Sequence, residues 1–175
     1  MKHVLLISTS YPDAQTGSEA AGGFVADFAE ELAHRVRVTV VAATAGESST
    51  RDEGALRVRR FGVRRWPLSI LRPHHLADWG PLYSTLRDGL RAVHDVVSTD
   101  RPDYILALWA LPSGYWARRM LRQFGVPYGT WALGSDIWSL GRIPLLKSYL
   151  GKVLSDGRHR FADGLKLCAE VENLS

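Results

Sequence analysis

An unbroken aliphatic run near the start of the chain, Val4-Leu5-Leu6-Ile7, restricts the fold more than any other stretch. A half-exposed strand alternates apolar and polar residues, whereas a continuous run suits a strand covered on both faces, as in a parallel sheet with helices above and below. Val36 to Ala43, VRVTVVAA, is rich in β-branched residues and reads as a second strand. Between them Phe24, Val25, Phe28, Ala29 and Leu32 share one helical face, with Asp27, Glu30, Glu31 and Arg35 elsewhere. That spacing predicts an amphipathic helix from Gly23 to His34 and makes the first unit βαβ.

The pattern continues. Residues 46 to 54 are polar and read as an exposed loop, Leu56 to Val63 as a more peripheral strand, and the proline-rich stretch from Pro67 to Pro81 as an irregular connection. Leu82, Leu86, Leu90, Val93 and Val97 predict a helix over 82 to 98. Asp103 to Trp109, DYILALW, reads as a buried strand, and Pro112 opens a helix to Phe124 that Gly125 stops. Val126 to Ala132 predicts a strand, Leu133 to Arg142 a glycine-containing loop, and Pro144 to Asp156 a helix. Phe161 to Ala169 reads as a last strand, and Glu170 to Ser175 as the start of a helix too short to bury a face. Strands alternating with helices without internal repeat indicate an α/β fold, a Rossmann-like, doubly wound, mostly parallel sheet with helices on both faces.

The 175 residues suit one domain with a substantial core. A single cysteine, Cys168, excludes an intrachain disulfide and agrees with a reducing cytoplasm. The apolar run after Lys2 is too short for a signal peptide and meets Tyr11-Pro12-Asp13 in place of a cleavage site. No run reaches the roughly 18 to 20 apolar residues of a membrane span. The net charge of +4 is concentrated: residues 51 to 73 hold Arg51, Arg57, Arg59, Arg60, Arg64, Arg65 and Arg72 against Asp52 and Glu53. With Trp66, Leu68, Ile70 and Leu71 interleaved, the basic 57–72 segment suits either peripheral contact with an anionic membrane or an ordinary solvated strand edge. No nucleic-acid module is visible, so no nucleic-acid partner is expected.

Residues 11 to 23 form a long turn-rich link after the first strand, with Gly17, Ser18 and the pair Gly22-Gly23. In open α/β sheets ligands sit beyond the carboxyl ends of the strands, and a helix start offers free N–H groups to an anion. The letters fit neither a Walker loop, which needs Lys-Ser/Thr after the second glycine, nor G-x-G-x-x-G, so a nicotinamide or flavin enzyme is improbable. The glycine pair suits either a tight turn or an anion-tolerant helix start.

Four pieces then occur in order: a serine-containing Tyr-Pro segment, Ser8-Thr9-Ser10-Tyr11-Pro12, Gly22-Gly23 opening a helix, WALPSG at 109 to 114, and Gly134-Ser135-Asp136-Ile137. Together they resemble the N-terminal, acceptor-side half of a GT-B fold glycosyltransferase of the retaining GT4 type. The resemblance implies a two-domain enzyme that moves a sugar from a nucleotide sugar to a saccharide or lipid-linked glycan. Its C-terminal donor-binding half lies outside this chain, so residues 1–175 alone are expected to be inactive. It implies acceptor contacts at Trp109, Ser113, Gly114, Gly134, Ser135 and Asp136, donor-phosphate contact at Gly22 and Gly23, and no metal and no cofactor. Leu133 stands where such enzymes commonly have a histidine. The location implied is cytoplasmic, at most peripheral at the inner face of the membrane.

The residues also admit plainer roles. Trp109 and Trp138 can stack on a sugar or fill core, and Trp131, within a strand, suits core. Ser113 and Gly114 can be a mere first helical turn, and Asp136 can tie its own loop through backbone bonds. His74 and His75 fit a solvated segment. A non-enzymatic α/β binding domain using the same loops is the alternative function.

Overall fold

The computed structural model describes residues 1–13, 20–66, 68 and 75–175. Gly17, Ser18, Pro67, Ile70, Leu71, Arg72 and His74, named above, lie outside the described residues. The chain runs β1 (His3–Ser8), α1 (Ala20–Ala33), β2 (Arg37–Thr44), β3 (Ser49–Glu53), β4 (Leu56–Gly62), α2 (Leu76–Thr99), β5 (Tyr104–Leu108) and α3 (Ser113–Phe124). It continues through β6 (Tyr128–Ala132), the one-turn α4 (Ser135–Trp138), α5 (Pro144–Asp156), β7 (His159–Ala162) and α6 (Leu165–Leu174).

The strands form one seven-stranded sheet in the order β3-β4-β2-β1-β5-β6-β7, parallel except for the β3–β4 pair. The continuous apolar runs account for this directly. In β1 Leu5 and Ile7 face a core shared with α2, α3 and α5, while Leu6 faces a second core under α1. All three side chains have 0% exposure, each contributing about 1.5–3 kcal/mol relative to an exposed position. The α/β architecture with helices on both faces is thus the one read from the sequence.

Several boundaries differ from the expectation. The polar 46–54 stretch contains β3, which needs no apolar residue because it lies at the sheet edge with most of its side chains in water. Helix α2 begins at Leu76, not residue 82, and absorbs Pro81, whose missing N–H leaves one early-turn carbonyl without its usual donor. The 133–142 loop contains α4 and a 3-10 turn at Leu140–Arg142. The last strand is His159–Ala162 and not 161–169. Gly164, at φ 89, ends it, and Leu167 and Val171, one turn apart on α6, bury into a small core with Ile137, Leu150 and Leu154. The terminal helix therefore does bury a face. Trp131 is half-buried, edge-on to Phe24 and Phe28, with its indole N–H donating to Asp163 Oδ1 at 3.0 Å.

Candidate functional site

From β1 the chain winds outward through β2 toward β4, then returns to place β5 on β1's other side and winds outward again through β6 and β7. The β1/β5 boundary is therefore the topological switch point, where the carboxyl-end loops diverge and leave a crevice. The loops after β1, β5 and β6 leave the sheet there.

The β5 and β6 loops are joined by one carboxylate. Asp136, on the first turn of α4, is 2% exposed. Its Oδ2 accepts the Ala110 N–H at 2.5 Å and its Oδ1 the Gly134 N–H at 3.1 Å. Burial pushes its pKa above the usual carboxylate value, opposed by backbone N–H groups including those of Ala110 and Gly134. Asp136 thus shapes both loops from beneath. Trp109 takes a left-handed φ of 65, which is unfavourable for a bulky residue, and its N–H donates to the Trp131 carbonyl at 2.9 Å. Gly134 has φ 110, and a Cβ there would come within 2.9 Å of the Trp138 ring.

The other expected site residues divide. Ser135 is exposed beside Gly134. Ser113 is fully buried, its Oγ without a hydrogen-bond partner among the described residues, and a Cβ on Gly114 would meet Val153 Cγ1 at 2.6 Å. These two let the start of α3 pack closely against α5, and present only backbone N–H groups of a first helical turn. Gly22 and Gly23 lie inside α1, which starts at Ala20, and not before it. A Cβ on Gly22 would approach the Tyr11 and Pro12 backbone at 3.2 Å, whereas a Cβ on Gly23 would meet nothing within 4 Å among the described residues.

Sequence reasoning missed how the β1 loop is fastened. Arg60, counted among the basic segment, is 8% exposed and grips Glu53 through Nη1 at 2.5 Å and Nη2 at 3.3 Å. The same Nη2 donates to the Pro12 carbonyl at 2.9 Å, and the guanidinium lies over the Tyr11 ring. Burial is the main reason that the Tyr11 pKa is pushed up to about 12. Thr44 Oγ1 donates to Asp13 as well. Opposite charges at 53 and 60 on antiparallel neighbours were the available signal, hidden because β3 was read as loop. Arg57 pairs with Asp52 and Arg65 with Asp78, so the 57–72 segment is less freely cationic than its composition suggests.

Beside α4 a recess of about 260 Å3 is lined in part by Trp138, Arg142, Lys147 and Glu170. Trp138 is 46% exposed, and neither Arg142 nor Lys147 makes an ion pair among the described residues. Among the described residues no helix is long and apolar enough to cross a membrane.

No family model and no curated protein matches the sequence. Solved structures match over nearly the whole chain. Sucrose-phosphate synthase from Thermosynechococcus elongatus is similar with a TM-score of 0.63 at 13% identity, over 91% of this chain and 42% of that one. An α,α-trehalose-phosphate synthase (UDP-forming) from Burkholderia vietnamiensis gives 0.64 at 13% identity, over 99% and 42%. A trehalose-6-phosphate synthase studied for glycosyl transfer with retention gives 0.60 at 11% identity, over 98% and 42%. The chain therefore spans less than half the length of these enzymes, and its fold is that of one Rossmann-like half of a GT-B glycosyltransferase.

Proposed function

We propose that this chain is the acceptor-binding half of a retaining, GT4-like glycosyltransferase. The observation that carries the reading is the joining of the β5 and β6 loops at the switch point by the buried Asp136 carboxylate, with the Trp138 recess beside them. Loops so held offer a fixed rim to a substrate, and positioning is the larger part of what such a transfer needs from this side.

In this reading Ser135, the Gly134 backbone and the Trp109 side chain contact the acceptor, together with the first-turn N–H groups of Ser113 and Gly114. Asp136 acts through the loops as a positioning residue, since its oxygens are engaged by backbone N–H groups. Gly23 leaves room for the donor diphosphate, which a second half of the enzyme holds. In the retaining route the acceptor oxygen bonds to the anomeric carbon on the face from which the diphosphate leaves. The acceptor's proton passes to the departing phosphate. No general base from this chain is then required, and Leu133 in the histidine's usual place is tolerated.

The test is a screen of nucleotide sugars and acceptors with the longest available gene product, beside residues 1–175 alone. Transfer by the longer protein only is expected, because one wall of a cleft cannot exclude water. Equal transfer by residues 1–175 would overturn the division of labour, and no transfer and no nucleotide-sugar binding by the longer protein would overturn the enzyme reading.

A further inference from the structure

Helix α2 is longer than the sheet it packs on. Its 24 residues span about 36 Å, whereas the six residues of β1 span about 20 Å. Its buried apolar residues, Ala92, Val93 and Val97, all belong to the second half, and those buried in the first half are Asp78, Ser84 and Thr85. The first half overhangs the core.

An overhanging helix in water ordinarily carries charge on its outer face. This one carries Leu76 at 79% exposure, Trp79 at 58%, Tyr83 at 68% and Leu86 at 38%. Their spacing of three, four and three places them on one stripe. Arg87 lies one turn from Tyr83, and Arg91 one turn further. Arg64 is exposed and makes no ion pair among the described residues, and Arg65 is held to Asp78 at the foot of the helix. From residue 64 to 91 five arginines stand against two aspartates.

We propose that this stripe and its arginines form the surface on which the protein docks to an anionic membrane. A convex apolar ridge edged by cations suits a flat, fluid surface, with leucines at acyl depth, tryptophan and tyrosine at the headgroups and guanidinium groups on anionic lipid. Arg87 and Arg91 share the single carboxylate of Asp88 and Arg65 is held by Asp78, so the region keeps a net positive charge even with these pairs formed. The docking surface is then α2, which carries the apolar stripe, rather than β4. The start of α2 follows β4's carboxyl end, so the stripe lies at the end of the sheet that carries the candidate acceptor loops. Resting on the acceptor-half reading, this names a lipid-linked glycan as the acceptor class; the membrane contact itself does not depend on that reading.

Sedimentation of the full chain with vesicles of phosphatidylcholine, alone or mixed with phosphatidylglycerol, tests it. Binding to the mixed vesicles only is expected. The pair Leu76→Ser with Tyr83→Ser should weaken it about tenfold, and Arg64→Gln or added salt should weaken it less. Both changes are at exposed positions, and unchanged thermal unfolding confirms the fold. No binding, equal binding to both vesicles, or binding indifferent to the stripe would overturn the inference. So would a dimer in solution that the double substitution dissolves, since that assigns the stripe to a second copy. Vesicle binding without sugar transfer by the longer protein would instead strike the function alone.

Discussion

The two ends of the sheet are built on different terms. At the amino ends of the strands charges meet in water: Lys2 pairs with Asp103 at 3.1 Å and Arg37 with Asp100 at 2.8 Å, all four at least 37% exposed. At the carboxyl ends Asp136 is buried against backbone N–H groups, Trp109 sits at positive φ, and Arg60 is sealed between Glu53 and Tyr11 with its Nε unpartnered among the described residues. Exposed pairs contribute little and are easily replaced, while buried charge and backbone strain persist only where the surroundings impose them. The carboxyl end thus gives up stability to hold its loops in shape, as the proposed acceptor rim requires.

The widest gap between the ends should appear on removing a carboxylate partner. Asp136→Ala strands two buried N–H groups and opens a cavity, for a loss of about 2–4 kcal/mol, whereas Arg37→Ala should cost less than about 1 kcal/mol. Urea unfolding of the two variants checks this. Equal losses would break the contrast.

Backbone geometry at the rim should give a somewhat smaller effect. Gly134→Ala places a Cβ at a φ of 110 and within 2.9 Å of the Trp138 ring, for a cost of about 1–3 kcal/mol. On the acceptor-half reading it should also raise KM for the acceptor in the longer gene product by more than its loss of stability accounts for. A neutral result would mean that the loop relaxes freely and holds no shape.

The smallest effect separates the ends by the sign of their pH dependence. His3, 2% exposed at the amino end, has its pKa lowered from 6.5, chiefly by burial and then by Arg37, against Asp100 and Asp103. The unfolded chain therefore takes up a proton first, and stability falls as pH drops below about 6.5. Asp136 is raised from 3.8 by burial. There the folded state takes up the proton first, so stability rises as pH falls toward about 4. In melting temperature against pH, His3→Gln should flatten the decline below about 6.5 and Asp136→Asn should remove the gain at lower pH. The same slope change from both would erase the distinction.

What was legible beforehand follows the same division. The strands β1, β2 and β5 announced themselves because burial on both faces demands unbroken apolar residues, and α5 because Pro144 marks its start. Strand β3 was invisible, since STRDE at an edge obeys no burial pattern. Helix α6 was read as strand across Leu167 because four letters, LKLC, fit either period until Val171 is seen to bury beside it. At the rim, the identity of the loop residues was readable but their geometry was not. That Asp136 reaches Ala110, or Arg60 reaches Pro12, depends on contacts between residues 26 and 48 positions apart, which local spacing does not encode.

Strand β3 has one more bearing. Its partner β4 would otherwise end the sheet with a row of free N–H and C=O groups flanked by Leu56, Val58 and Phe61, a template on which other chains could stack. Capping it with a five-residue strand that is almost wholly polar and charged moves that open row outward, where each new arrival would have to strip water from Arg51, Asp52 and Glu53. That outer row is thereby a poor template for another strand.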